Sequence, residues 1–154
     1  MTRPHFSALA VVLGTLVVGT PALARDGDER AFQCPKLSKK LTTLEVFNGR
    51  QAALNAGNIN LAFCYYEEDA VVIMPNAVVR GREPIKMAFV LFGSLFGGAF
   101  PTPKSVTVDG ETLLATFTLV TPALSIPDGA DVFIVKDGRI QTQVVHSTIV
   151  PTKP

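Results

Sequence analysis

Two titratable side chains in the segment ADVFIVKDGRIQTQVVHS, residues 130–147, stand among apolar residues. The Asp-Gly pair at 137–138 predicts a β-hairpin with a two-residue turn, because both residues tolerate the positive φ angles of a type I′ turn. Side chains alternate between the two faces of a strand, so Asp131 is predicted opposite Val144, with His146 diagonal to it on the same inward face. A register shifted by one residue would reverse this assignment.

An aspartate beside a histidine can transfer protons, because the carboxylate fixes the imidazole tautomer and raises its basicity. Asp131 and His146 are therefore the candidate catalytic residues. A buried carboxylate must be paired, neutralised or near water. Asp131 could bond to His146, pair with Arg50, or take a raised pKa in a dry pocket. The alternative is that Asp131 lies at a strand end near solvent and His146 is a satisfied core or rim residue.

A long helix is predicted over residues 38–56, where apolar positions recur at helical spacing. Its mostly apolar stripe comprises Leu41, Leu44, Phe47, Gln51 and Leu54. Arg50 lies at the edge of this stripe, where a guanidinium can either extend into solvent or reach a buried acid. Facing inward, it would bind a carboxylate or enolate through its planar fork.

The first 24 residues have the pattern of a secretory signal peptide, with a basic start, an apolar run and a small-residue ending. An uncleaved membrane anchor is the alternative, although glycines and a proline interrupt the apolar run. Cleavage after Ala24 would leave one domain of ordinary size. Only one of the 14 basic residues and none of the 13 acidic ones fall in residues 1–24, so the remainder is formally neutral. We expect a periplasmic or secreted protein without a nucleic-acid partner, and without a membrane partner after cleavage.

Cys34 and Cys64 are the only cysteines in the chain. An exported chain meets an oxidising compartment, so a disulfide between them is the prediction, with a catalytic thiol as the alternative. There is no CxxC, and only one histidine follows the predicted signal peptide. We therefore expect neither a metal site nor a cofactor.

The remaining pattern places helices first and antiparallel strands afterwards, which is typical of an α+β domain. After a charged, flexible leader at residues 25–36 and the long helix, a second helix follows Asn58. The further predictions are a strand at 70–74, a brief strand at 78–79, an apolar helix at 82–92, and a hairpin of strands 104–109 and 112–121. The glycine-rich apolar loop after the third helix could cover a pocket mouth, contact another subunit or simply pack.

The segments NAGN, EEDAVVIMP, VRGREPI and VKDGRIQ, in this order and spacing, resemble the nuclear transport factor 2-like superfamily. That group includes ketosteroid isomerases and SnoaL-like polyketide cyclases, and the resemblance covers residues 37–150. It implies a cystatin-like fold: a cone-shaped α+β barrel with three N-terminal helices packed on a curved, mainly antiparallel sheet around an apolar pocket. Many members are dimers through the outer sheet face, so a homodimer is an expectation here.

The resemblance to the isomerase branch is partial. Asp131 falls where that branch has an aspartic acid that stays protonated and donates a hydrogen bond to the developing oxyanion. Met74 falls where that branch has its general base, and methionine cannot take a proton. Arg50 falls near the position of its oxyanion tyrosine. These residues support the pocket better than the isomerase reaction.

Three functions remain open from the sequence. The first is an isomerase or lyase that performs acid/base chemistry on a small apolar carbonyl compound. The second is a non-catalytic binding or carrier domain, and the third is a structural dimer whose own side chains fill the pocket. At most one of the two adjacent tyrosines at 65–66 can reach the cavity. The predicted ligand-binding residues are Arg50, Tyr66, Met74, Phe89, Phe117, Phe133 and Val144.

Overall fold

A computed structural model describes residues 32–152 of the chain. The predicted signal peptide and residues 25–31 of the predicted leader lie outside this range, and residues 32–36 have no regular secondary structure. The elements in chain order are α1 (Thr43–Asn55), α2 (Ile59–Phe63), β1 (Tyr66–Met74), β2 (Ala77–Arg80), α3 (Arg82–Leu95), β3 (Thr102–Asp109), β4 (Thr112–Val120), β5 (Leu124–Lys136), β6 (Arg139–Ser147) and β7 (Val150–Pro151). Within residues 32–152, none of the helices has the length and hydrophobicity needed to cross a membrane.

The first helix begins later than the sequence predicted because Thr42 caps it. The Thr42 hydroxyl accepts from the backbone N–H of Glu45, and the Glu45 side chain accepts from the backbone N–H of Thr42. This capping box satisfies N–H groups that have no partner inside the helix. The predicted apolar stripe was partly wrong, since Leu44 is 44% exposed. The buried face of α1 consists of Thr43, Val46, Phe47, Arg50, Ala53 and Leu54.

The strands form one mainly antiparallel sheet in the order β2-β1-β6-β5-β4-β3, with β7 paired to β5. Only the β1–β6 pair is parallel within the described residues. Helix α1 packs against β4 and β5, and α3 packs against β1 and β2. The apolar core lies between these helices and the inward face of the sheet. This is the predicted cone-shaped α+β fold.

The predicted disulfide is present between Cys34 and Cys64, with the two Cα atoms 5.3 Å apart. It joins the segment before α1 to the residue that ends α2. Arg82 donates to the backbone oxygen of Tyr66 and also to the Cys34 sulfur. The disulfide and this arginine therefore hold the N-terminal segment beside the start of β1.

The β5–β6 hairpin has the predicted turn, because Asp137 and Gly138 both take positive φ angles, 49° and 72°. Its register agrees with the prediction only next to the turn, where Lys136 pairs with Arg139. The ladder then shifts by one residue, leaving Gln141 as a β-bulge.

Beyond the bulge, Asp131 lies opposite Val145 rather than Val144. The predicted shared face for Asp131 and His146 is therefore wrong. An extra residue moves every following side chain of one strand to the other face. Gln143 and Val145 point inward, whereas Val144 and His146 lie on the outer face.

Candidate functional site

A chain of hydrogen bonds between side chains crosses the interior of the fold. The Arg50 Nε donates to the Tyr66 hydroxyl at 2.9 Å, and that hydroxyl donates to the Gln143 Oε1 at 2.5 Å. A guanidinium can only donate, so the Tyr66 oxygen must accept from Arg50 and its hydrogen must go to Gln143. All three residues are at most 4% exposed. The direction of each hydrogen bond in this chain is therefore fixed.

The chain continues toward Asp131. The Gln143 Oε1 atom accepts the hydrogen bond from Tyr66, so the NH2 group of Gln143 remains available as a donor. The Nε2 atom of Gln143 and the Oδ1 atom of Asp131 are buried and have no hydrogen-bond partner within residues 32–152. One is a donor and the other an acceptor, and their residues are diagonal neighbours on the inward face of β5 and β6. We call Arg50, Tyr66, Gln143 and Asp131 the polar chain.

Burial sets the protonation behaviour of two members of the polar chain. It raises the pKa of Asp131 to about 6, against the opposing effects of the Arg50 charge and the Gln143 amide. Burial also raises the pKa of the Tyr66 hydroxyl to about 12. Tyr66 therefore stays protonated near neutral pH and keeps its donor role. Asp131 changes its charge close to neutrality, as a general acid or base requires.

The Arg50 guanidinium is enclosed by aromatic rings. Its Cζ atom lies 5.5 Å from the ring centre of Tyr66, 5.7 Å from that of Phe89 and 5.4 Å from that of Phe133. A cation is attracted to the faces of aromatic rings, which offsets part of the cost of burying the charge. Only its Nε has a hydrogen-bond partner within residues 32–152, so the two terminal nitrogens remain free for a ligand.

Both ends of the polar chain reach one small cavity between α1, α3 and the inward face of the sheet. Its volume is about 50 Å³, and Arg50 and Asp131 are the only ionisable residues of the described part of the chain that line it. The wall is otherwise largely aromatic and apolar, and it includes Phe89, Phe92 and Phe117. Each buried water needs roughly 10–15 Å³ of such space, so this inner cavity has room for only a few water-sized groups.

A second, larger cavity adjoins the first. It has a volume of about 460 Å³ and is lined by α3, the β1–β2 turn and the end of β6. Four residues line both cavities: Phe89, Phe92, Val145 and Ser147. We call the two spaces the inner cavity and the outer cavity.

The structure brings most of the predicted site residues together. Arg50, Phe89, Phe117 and Asp131 line the inner cavity, and Met74 lines the outer one. Tyr66 and Phe133 are fully buried beside Arg50. Tyr66 is thus the inward-facing member of the tyrosine pair, and its hydroxyl accepts a hydrogen bond from Arg50.

Two predicted site residues are on the wrong side of the sheet. Val144 is 39% exposed and His146 is also exposed, and neither lines a cavity. The Gln141 bulge is the reason, because it rotates the end of β6 by one position. No contact between His146 and Asp131 is formed within the described residues, so the predicted Asp-His pair is wrong. The Arg50 alternative is the one that the fold brings near Asp131.

Sequence reasoning missed Gln143. Its side chain is fully buried, accepts a hydrogen bond from Tyr66 and is the diagonal neighbour of Asp131. In the predicted register it belonged to the outer, polar face, where a glutamine is unremarkable. The sequence carried no signal for this, because only the structure shows that Ile140 and Gln143 both face inward although they are three residues apart, which requires a bulge between them.

The fold and the inner cavity define an α+β pocket protein with a buried carboxyl group. A family model described as a SnoaL-like domain matches residues 50–143, which is more than half of the chain. The chain belongs to this SnoaL-like family, within the nuclear transport factor 2-like superfamily. The matched segment begins at Arg50 and ends at Gln143, so it contains the whole polar chain.

Solved structures show the same fold at low sequence identity. A nuclear transport factor 2-like protein of unknown function from Burkholderia xenovorans is 15% identical, with a TM-score of 0.59, over 73% of this chain and 87% of that chain. A putative polyketide cyclase from Sinorhizobium meliloti is 21% identical, with a TM-score of 0.60, over 69% of this chain and 100% of that chain. A protein called TerC, co-crystallized with polyporic acid, is 13% identical, with a TM-score of 0.59, over 69% of this chain and 91% of that chain. A comparison with functionally curated proteins gives no significant match.

Proposed function

We propose that this protein is an exported SnoaL-like pocket protein that transfers a proton on a small, largely apolar carbonyl compound, as an isomerase or lyase. The observation that carries the proposal is the carboxyl group of Asp131 at the wall of the inner cavity. Its pKa of about 6 suits a general base near neutral pH. The disulfide supports export, because such bonds persist in oxidising compartments.

Arg50 stabilises the negative charge that forms on the ligand when the proton is removed. Removal of a proton beside a carbonyl group places negative charge on the carbonyl oxygen. Arg50 lines the same cavity as Asp131, and its terminal nitrogens, which have no hydrogen-bond partner within residues 32–152, can donate to that oxygen. Fixed donors in a water-poor cavity stabilise a developing oxyanion strongly. The proton moves from the ligand carbon to Asp131, which can return it to a different position.

The solved neighbours support the substrate class. One is a putative polyketide cyclase and another was crystallized with polyporic acid. These descriptions support an oxygen-bearing small molecule as the ligand here. Export itself is supported further by the signal-like pattern of residues 1–24.

Proton exchange on simple ketones tests the proposal without knowledge of the natural substrate. The protein is incubated in D2O with methyl ketones from acetone to 2-decanone, and loss of the α-proton signals is followed by NMR. We expect exchange that rises as the pH passes about 6 and then levels. Asp131→Asn should lower the rate at least about 100-fold, since general base catalysis contributes roughly 10²- to 10⁴-fold.

His146→Asn is the matched control, because His146 lies on the outer face of the same hairpin. It should leave exchange unchanged. An Asp131→Asn variant that exchanges ketone protons as fast as the unaltered protein would contradict the proposed chemistry.

A non-catalytic binding or carrier domain is the second candidate. The small size of the inner cavity favours it, because the space beside Asp131 holds little more than a few water-sized groups. Ketone binding without any proton exchange, unchanged by Asp131→Asn, would support this candidate over the enzyme.

The partner that we propose besides the small molecule is a second copy of the chain on the outer sheet face. Val78, Ile73, Val144, Val132 and Leu114 form one cross-strand row on that face. Four of them are 39–56% exposed, and the other is half-buried. Sedimentation of the unaltered protein and of Val144→Lys tests this, with a dimer expected only for the unaltered protein. A monomeric unaltered protein at micromolar concentration would contradict it.

A further inference from the structure

The inner and outer cavities share part of their lining. Phe89 and Phe92 from α3, with Val145 and Ser147 from β6, line both spaces. The Phe89 ring also lies 5.7 Å from the Arg50 guanidinium, so the same side chain contacts the charged end of the inner cavity and lines the outer one.

We propose that one ligand occupies both cavities, with a compact oxygen-bearing end at Arg50 and Asp131 and an apolar body in the outer cavity. This inference rests on the proposed function for the position of the oxygen-bearing end. It goes further because it defines the shape and polarity of the ligand. Phe89 and Phe92 line both spaces, so they are the side chains that such a ligand would contact along its whole length.

Volume is the first reason. Small-molecule sites in proteins measure roughly 300–1,000 Å³. The inner cavity, at about 50 Å³, is far below this range, whereas the outer cavity, at about 460 Å³, lies within it. A carbonyl or carboxyl group fits the inner cavity, and the rest of its molecule needs the adjoining space.

The lining of the outer cavity is the second reason. Ala88, Leu91 and Leu95 of α3 line it together with Met74 at the end of β1 and Pro75 of the following turn. Among residues 32–152, no charged residue lines it. A second charged group on the ligand would therefore lose its water without gaining a partner, which is costly. The ligand class is an amphipathic molecule with one oxygen-bearing end.

Exposure at the rim of the outer cavity is the third reason. Leu91 is 71% exposed and Leu95 is 56% exposed. Large apolar side chains clustered at the edge of a cavity mark a ligand or interaction site. An apolar body in the outer cavity would cover both leucines.

The methyl ketone series tests this inference through binding rather than catalysis. Affinity is measured by NMR titration from 2-butanone to 2-decanone. Each added CH2 group that enters the outer cavity should tighten binding roughly threefold to fourfold, as burial of a methylene predicts. The smallest ketones, which fit mainly in the inner cavity, should bind weakly and equally in all outer-cavity variants.

Two variants of α3 form a matched pair. Leu91 and Met87 are 71% and 70% exposed, but only Leu91 lines the outer cavity. Leu91→Asp should weaken binding of 2-decanone at least tenfold and leave 2-butanone unchanged. Met87→Asp should change neither. Both positions are exposed, so both variants should fold.

The outcomes separate this inference from the proposed function. Affinity that does not increase with chain length, while Asp131-dependent exchange persists, would overturn the two-cavity site and leave the proposed chemistry standing. Chain-length-dependent binding that Leu91→Asp abolishes, without exchange, would support the two-cavity site and overturn the chemistry. Binding of no ketone at any length would overturn the two-cavity site as well.

Discussion

The two faces of the β5–β6 hairpin carry opposite kinds of residue. On the inward face, Asp131 and Gln143 are neighbouring members of the buried polar chain, and Asp131 lines the inner cavity. On the outer face, Val144 and His146 are exposed. Adjacent residues of a strand always face opposite sides of the sheet, and the bulged residue Gln141 decides that Gln143 rather than Val144 faces inward. The comparison shows that the position of the site depends on strand register as much as on residue type.

The energetics of the two faces differ for the same reason. A buried polar group without a partner costs roughly 1–3 kcal/mol, whereas an exposed one bonds to water. On the inward face, the Tyr66 hydroxyl and the Gln143 Oε1 atom are hydrogen-bonded, whereas the Gln143 Nε2 and Asp131 Oδ1 atoms have no hydrogen-bond partner within residues 32–152. Polar residues on the outer face are free to change with little effect on stability.

Insertion of one alanine after Thr142 should have the largest effect. The ladder pairs Ile134 with Thr142 and Phe133 with Gln143, so an added residue between them moves Gln143 to the outer face or forces a second bulge. We expect a loss of more than about 4 kcal/mol in the free energy of unfolding, because several buried groups are displaced together. Deletion of Gln141 is the control, because it removes the bulge but leaves these pairs in place, and it should cost much less. Urea denaturation measures both, and an insertion variant as stable as the unaltered protein would contradict the dependence of the site on register.

The pH dependence of stability should show the next largest effect. The pKa of Asp131 rises from 3.8 to about 6 on folding. The folded state therefore holds a proton that the unfolded state releases between these pH values, so folding is most favoured below about pH 4. Stability should fall by up to about 3 kcal/mol as the pH rises through 6 and should level above it.

Asp131→Asn should remove this loss. The difference in unfolding free energy between the variant and the unaltered protein, measured from pH 3.5 to 8, isolates the contribution of Asp131. A constant difference across that range would show that Asp131 titrates normally in the folded state.

Much of the fold could be predicted because its signals are local. The Asp-Gly turn, the Asn58 cap of α2 and the hairpin around Gly110 each depend on a few neighbouring residues. The resemblance of four short segments to a known superfamily then gave the architecture. Helix α1 was predicted as well, although the inclusion of Leu44 in its stripe placed Arg50 at an edge rather than at the centre of the buried face.

The site could be predicted only in part because it depends on tertiary packing. Alternation along β6 is equally compatible with either face, and nothing in the sequence marks Gln141 as a bulge. The bulge brings both Ile140 and Gln143 into the interior, where each is fully buried. Asp131 was identified from its own strand, which has no shift between it and Ile134. Gln143, the buried neighbour of Asp131, was not identified, because it lies beyond the register shift in β6.

Gln143→Leu should have an intermediate effect that sharpens the comparison. It leaves the Tyr66 hydroxyl hydrogen and the Asp131 carboxylate without their buried neighbour, so we expect a loss of about 2 kcal/mol in unfolding free energy. The pKa of Asp131 should rise, since the Gln143 amide lowers it. Carbon-13 NMR of the Asp131 carboxyl measures this.

Tyr66→Phe should cost about 1 kcal/mol in unfolding free energy, and its effect should be non-additive with that of Gln143→Leu. Additive losses would contradict a connected polar chain.

His146→Leu should have the smallest effect. His146 is exposed on the outer face, away from both cavities, so its replacement should change the unfolding free energy by less than about 0.5 kcal/mol. The Asp131 carboxyl titration should keep its midpoint, because the Gln141 bulge places the two side chains on opposite faces of the sheet. A shift of that midpoint would show that His146 and Asp131 interact in solution, as they would without the bulge. The same NMR titration used for Gln143→Leu therefore decides between the two registers.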